Sequence, residues 1–453
     1  MFTRDKSFYR SFFRLCGALV IQNIIVQSVN LADNIMIGAY GETALSGVSA
    51  VNQVQFVVQQ VLGGIGEGVV VLSSQYWGQR RTGPIRKLAS IGLWMGIVFS
   101  LLMFLLVSFF PTGTLRLFTD EKPVIREGVA YLNIIRFTYP VCALTTILLA
   151  VLRSVETIRV ALTVSVSTLF INCGLNFVLI EGRFGAPALG SRGAGIATLA
   201  ARCVELVIVL VYLVFRDSKL QLKLKDFRSI DRPLLGDYTR VCVPIVINAA
   251  LWGFSTALQT VILGHMTAAA IAANSAASAL YLLLKVASVG ASSAAAILIG
   301  KAVGEGDMDK IRSYTYTLQG LFLCIGCFIS VTLFLLRRPV LSLYSLSPET
   351  LEMANSFLLI LCVTGFGMAY EMPTGCGIVR GGGDTRFILI NDIISIWCIV
   401  LPVSYLAAFV FGWPPAAVVI CLNADQVFKC LAVGIRANSF RWVKKLTRAE
   451  EAS

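Results

Sequence analysis

A single histidine, His265, in 453 residues leaves almost no material for a zinc site or a histidine-based catalytic triad. Charge is scarce too: 14% of residues are Asp, Glu, Lys or Arg, against roughly 25% in soluble domains. Long polar stretches are missing. The longest, about 216–240, is too short to fold as a domain, which excludes a soluble multidomain protein. The segment "GEGDMDK" lacks the Lys-Ser/Thr ending of a phosphate-binding loop, and "GGIGEG" lacks the dinucleotide spacing. An ATP-driven pump and a membrane enzyme therefore find no support, and the expected protein is not an enzyme. Of the twelve cysteines, Cys324 and Cys327 form a C-x-x-C inside the apolar "LCIGCF" with no second ligand pair. They read as small buried hydrophobes.

What the chain does have is apolar length. Hydrophobic residues make up 57%, and the mean hydropathy is +0.78. About 20 consecutive apolar residues cross a bilayer as a helix. Twelve such runs occur, at about 12–38, 48–74, 89–111, 130–152, 160–181, 193–215, 241–265, 272–299, 315–336, 354–379, 387–411 and 415–436. They are numbered helices 1 to 12. No small-residue cleavage site follows the first run, so it is expected to stay as a mature helix rather than leave as a signal peptide.

The net charge of +13 might suggest a nucleic-acid partner, but its distribution points to a membrane instead. Of the 38 Lys and Arg, 27 fall in the N-terminus, the tail and every second loop, with Arg14 and Arg436 at the adjoining span ends counted among them; the opposite loops hold 7 and the rest of the spans 4. Basic loops stay on the cytoplasmic side, so both termini are expected inside the cell, in a multi-pass protein of the cell (inner) membrane. The runs "RDSKLQLKLKDFRSIDR" and "RWVKKLTR" then face anionic headgroups of the bilayer, with no nucleic acid involved.

The sequence also repeats itself. "ADNIMIGAYGETALSGVSA" resembles "QTVILGHMTAAAIAANSA", pairing Gly38 with Gly264. "YWGQRRTGPIRKL" resembles "KAVGEGDMDKIRSY", pairing Gly78 with Gly304, and "LRSVETIRV" resembles "VRGGGDTRF", pairing Arg153 with Arg380. The offsets are 226, 226 and 227 residues. Each repeat holds six spans, an even number, so both halves enter the membrane in the same orientation. The expectation is an all-α membrane protein of two parallel six-helix lobes: 1–220, a cytoplasmic linker at 221–240, and 241–453 including the basic tail. Folds of this kind bind substrate between their repeats and work by alternating access.

Within that frame Asp33 is out of place. An acid at the centre of a membrane helix costs ~2.5–3.5 kcal/mol on insertion scales and usually marks an ion or substrate path. Asp33 sits in "NLADNIMIG", five residues before Gly38 and so about 7–8 Å from the outer end of helix 1. Asn172 and Asn176 on helix 5 are spaced i, i+4 and share one face. A carboxylate beside two amides can cage a hard cation such as Na⁺. A buried carboxyl can equally hold a proton.

At this point the motifs "LADNIMIG", "QYWGQ", "LRSVETIR" and "RGGGDTRF", with "NFVLIEGRFGAPALGSRGAGIAT" after helix 5, resemble the multidrug and toxic compound extrusion (MATE) family. The likeness runs through the whole chain in order. It implies a V-shaped twelve-helix antiporter, expected to act as a monomer. Such a protein exports organic, often cationic or neutral amphiphilic, small molecules in exchange for Na⁺ or H⁺, with no other cofactor. By the same resemblance, the coupling site of the first lobe falls on Asp33, Asn172, Asn176 and the helix 6 residue Thr198. With Asn at 176 rather than Asp, that site holds one acid. In the second half the family's helix 7 acid is replaced by Ala249, and Gln426 stands near the position of another, so charge there is expected to be lost.

Other positions in or beside the spans also carry charge. Glu67, in the glycine-rich "GGIGEGVV", is a candidate for the substrate cleft, as are Lys285 and Glu371, which could pair across the second lobe. Arg202 and Glu205, spaced i, i+3, are expected to neutralise each other. Asp384 is expected to anchor Arg380 and Arg386. The alternative function is a flippase for lipid-linked saccharides. Such proteins need a strongly cationic cavity, and four basic residues in the spans argue against one.

Overall fold

A bilayer offers the backbone no hydrogen-bonding partner, so a chain this apolar can satisfy its N–H and C=O groups only in helices or a closed barrel. The computed structural model takes the helical course. It describes residues 2–222, 224–227, 231–342 and 347–448, and no strand occurs among them. Parts of the expected linker (223, 228–230) and of the tail (449–453) lie outside the described residues.

Among the described residues eleven helices are long and apolar enough to cross a membrane. Helices 1 to 3 are Lys6–Tyr40, Glu42–Gly78 and Thr82–Phe109; helices 5 and 6 are Arg159–Leu179 and Ser191–Phe215. Helices 7 to 12 are Arg232–Leu263, Ala269–Glu305, Met308–Leu341, Pro348–Val379, Thr385–Val410 and Pro415–Ser439. Helix 4 is a bent pair, Lys122–Ile135 and Thr138–Ser154, meeting at 53°. Pro140 accounts for the bend, since its ring cannot tolerate the carbonyl of Arg136 four residues earlier and it lacks an N–H to offer. The protein is an all-helical, multi-pass membrane protein.

Two compact units form. One comprises Ile21–Ser73 and Arg80–Cys242; the other comprises Val243–Ser453 together with Met1–Val20 and Ser74–Gln79. They are called the N-terminal and C-terminal units. The second differs from a simple cut near residue 220 because two early segments pack with the late helices. Phe8 packs against Tyr314 with the rings tilted by 40°, and the Thr3 N–H donates to Thr317 Oγ1 at 2.8 Å.

In the N-terminal unit, helix 5 packs along helix 6 and helix 3 along helix 4. In the C-terminal unit, helices 8, 9, 10 and 12 pack together. Their shared core includes Ala277, Leu280, Leu333, Phe357, Leu361 and Val418. The end of helix 2 crosses helix 8 at backbone contact. A Cβ on Gly78 would lie 2.1 Å from the Lys301 carbonyl oxygen, and one on Gly304 would lie 1.9 Å from that of Gln75. These are the two glycines paired by the repeat, and each meets the carbonyl three residues before the other. The chain then closes on the same place. Gln75 donates to the Lys444 carbonyl (3.1 Å) and accepts from the Leu446 N–H (2.9 Å), while Gln79 donates to Thr447 (2.7 Å). Asp384, 2% exposed, accepts from Arg436 Nε (2.9 Å) and Lys444 Nζ (2.7 Å). Arg436, in the last turn of helix 12, and Lys444 beyond it thus hold Asp384.

Candidate functional site

The i, i+4 spacing on helix 5 turns Asn172 and Asn176 to one side, and packing of helix 5 on helix 6 brings Thr198 to the same side. The four residues form a chain of contacts. Asn176 Nδ2 donates to Asp33 Oδ1 at 2.5 Å and to Asn172 Oδ1 at 3.1 Å; Asn172 Nδ2 donates to Thr198 Oγ1 at 3.3 Å. Asn172 is 1% exposed and Asn176 0%. One atom in this arrangement is left over: Asn176 Oδ1 is buried without a hydrogen-bond partner. Buried acceptors are nearly always satisfied, and an orphan costs about 1–3 kcal/mol. Asp33, the two Asn and Thr198 offer only oxygens to a guest, the donor set of a hard cation.

The charge beside this site is already balanced. Arg202 pairs with Glu205 at 2.9 Å, and the other Glu205 oxygen accepts from Thr168 at 3.0 Å. A cavity of about 20 Å³, room for one water-sized guest, lies against Thr198 and Arg202, with Gln55, Gln59 and Tyr139 in its wall.

A family model described as MatE matches residues 18–178 and 244–406, one match in each half of the chain. The chain belongs to the MatE family. As a MatE protein it is a transporter and not an enzyme. It is 26% identical over 437 residues (95% of this chain, 92% of the relative) to the probable multidrug resistance protein NorM of Thermotoga maritima. It is 23% identical over 443 residues (97% and 96%) to the uncharacterized transporter YisQ of Bacillus subtilis. The fold is that of the Vibrio cholerae MATE transporter VcmN: TM-score 0.88, 18% identity, 98% of this chain and 99% of that one.

The remaining candidates in this MatE chain fall elsewhere. Glu67 on helix 2 pairs with Arg153 of helix 4 at 2.6 Å, so the repeated "LRS" arginine has a carboxylate partner. Glu371 meets Lys429 rather than Lys285, whose Nζ stands 5.1 Å above the Trp252 ring. The C-terminal unit is not poor in charge. Lys429 on helix 12 faces Asp392 of helix 11 at 3.0 Å, Asp425 at 3.1 Å and Glu371 of helix 10 at 3.4 Å. Gln426, beside this cluster, accepts from Tyr281 at 3.2 Å. The signal was present in "NADQVFK", where Asp425 and Lys429 are spaced i, i+4.

Proposed function

We propose that this protein is a secondary exporter. It moves organic cationic or neutral amphiphilic compounds out of the cell against an inward flow of Na⁺ or H⁺, both termini being cytoplasmic, and Asp33 carries the coupling ion. The observation that supports this best is the unpartnered oxygen of Asn176, whose nitrogen donates to the intramembrane carboxylate of Asp33. An ion arriving at Asp33 relieves the orphaned acceptor and the buried charge together, so its affinity differs between states in which the site is open and closed. That difference is what lets an ion bias a conformational equilibrium.

Support for organic cargo comes from a cavity of about 650 Å³ in the C-terminal unit, walled by His265, Trp397, Tyr405 and Phe409 among aliphatic neighbours. Its size and apolar, aromatic lining suit a drug-sized molecule. The flippase alternative loses ground on charge. Arg153, Arg202 and Lys429 are each committed to carboxylates, which leaves little free positive charge for a pyrophosphate.

The test is dye efflux from proteoliposomes under a Na⁺ gradient or a pH gradient alone. One of the two is expected to drive efflux in the wild type, and Asp33→Asn, close in size and cheaper to bury, is expected to abolish it at equal membrane levels. Wild-type efflux by Asp33→Asn under both gradients refutes the assignment.

A further inference from the structure

The two repeats treat one cation in two ways. Asp425 and Lys429 follow Thr198 and Arg202 by 227 residues, the offset that relates Arg380 to Arg153, and Cys430 follows Cys203 in the same register. Helices 6 and 12 therefore carry a basic side chain at matching positions. In the N-terminal unit that cation is taken by Glu205, one turn along its own helix. The residue matching Glu205 is Ala432, so Lys429 lacks the acid that follows Arg202 in the first repeat. It turns instead to carboxylates from three helices: Glu371, Asp392 and Asp425. Conversely Asp33, the acid left over for a guest in the first repeat, is matched by the neutral Gln259.

We infer that the C-terminal unit contains a second cation site, formed by Glu371, Asp392 and Asp425, whose resident occupant is the tethered ammonium of Lys429. The side chain is 7% exposed, and its nitrogen lies 3.0–3.4 Å from an oxygen of each acid. An ammonium presents three N–H donors, one for each carboxylate here. Other groups packed nearby are Lys285, over Trp252, and the Tyr281 hydroxyl, which is given to Met368 Sδ or Gln426 rather than to the cluster. A cation on the protein's own chain cannot be diluted away or exchanged with the medium. The unit is thereby held in an ion-loaded state, and only the N-terminal unit takes an ion from solution in each cycle. The stoichiometric part of this inference rests on the proposed role of Asp33; the existence of the filled site does not.

Removing the ammonium should expose the site to external ions. The full-length protein, purified in detergent, is melted in NaCl, in CaCl₂ and in N-methyl-D-glucamine chloride at equal ionic strength. An Asp33→Asn background silences the first site. With Lys429 intact, Asp33→Asn is expected to melt at the same temperature in all three salts. Asp33→Asn with Lys429→Met is expected to gain roughly 4–10 °C in Na⁺ or Ca²⁺, the size produced by a ligand at about 100 times its dissociation constant. If that variant does not accumulate, Lys429→Met with Asp392→Asn is measured in its place by the same criterion. Neutralising Asp392 and Asp425 together, as Asn, is expected to remove the gain. A folded Lys429→Met variant indifferent to cations overturns the inference, as does a gain that survives neutralisation of the acids. Failure of the Asp33 assignment would show separately, as a wild-type response to Na⁺ that Asp33→Asn leaves unchanged.

Discussion

The orphaned oxygen of Asn176 allows the two asparagines of helix 5 to be ranked before any measurement. Both amide heavy atoms of Asn172 are used, one accepting from Asn176 and one donating to Thr198. Asn176 uses its nitrogen only, and its buried oxygen carries an unrelieved cost of about 1–3 kcal/mol. Ion binding recovers that cost at Asn176 and nothing comparable at Asn172. Deleting Asn176 should therefore remove ~1–3 kcal/mol of ion affinity, about 5- to 150-fold at 1.4 kcal/mol per decade. Deleting Asn172 removes one neutral contact already satisfied elsewhere, ~0.5–1 kcal/mol or about 2- to 5-fold. The assay is the concentration of driving ion that gives half-maximal dye efflux from proteoliposomes. It compares Asn176→Ala and Asn172→Ala with the wild type at equal reconstitution. An Asn172→Ala shift equal to or larger than the Asn176→Ala shift would refute the reasoning, and an unshifted Asn176→Ala would remove its basis.

Three further outcomes are expected. Gly304→Val forces a Cβ to within 1.9 Å of the Gln75 carbonyl and should lower the melting midpoint by about 3–10 °C. Gly17→Ala, with no atom within 4 Å of the new Cβ, should change it by less than about 2 °C; equal midpoints would show that the crossing is loose. Asp384→Ala leaves Arg436 and Lys444 without their shared acid, so trypsin should cut after Lys444 or Lys445 about tenfold faster than in the wild type, the factor given by ~1.4 kcal/mol of lost tail docking. An unchanged rate would mean that the Gln75 and Gln79 contacts suffice. A cysteine placed at exposed Ser218 should resist an impermeant maleimide added outside intact cells and react after permeabilisation; labelling from outside would reverse the topology.

Much of the architecture was legible because membrane helices announce themselves locally. Hydropathy located all twelve spans and the constant offset located the repeat, though helix 1 begins at Lys6 and helix 2 at Glu42, earlier than the apolar runs themselves. Hydropathy stops where polar residues enter, while backbone hydrogen bonding continues. The i, i+4 pair Asn172 and Asn176 was legible for a similar reason, since one helix sets the geometry. Contacts between distant helices were harder. Nothing local joins Lys429 to Asp392, or Asp384 to Lys444, and the pairing of Glu67 with Arg153 depends on how helix 2 lies on helix 4. Gly78 and Gly304 were matched as repeats, but sequence likeness gave no sign that they meet.

That meeting has a consequence for how the protein is made. The ribosome delivers residues 2–20 and 74–79 long before their partners in Val243–Ser453 exist. Thr3 must wait for Thr317, and Gln75 for Lys444, 369 positions later. Six spans can be threaded into the bilayer while the beginning of helix 1 and the end of helix 2 still lack their seats. Contacts of such sequence separation form late and slowly. The C-terminal unit can therefore complete itself only after translation has passed residue 446, and until then it presents unfilled surfaces that membrane chaperones and proteases can recognise.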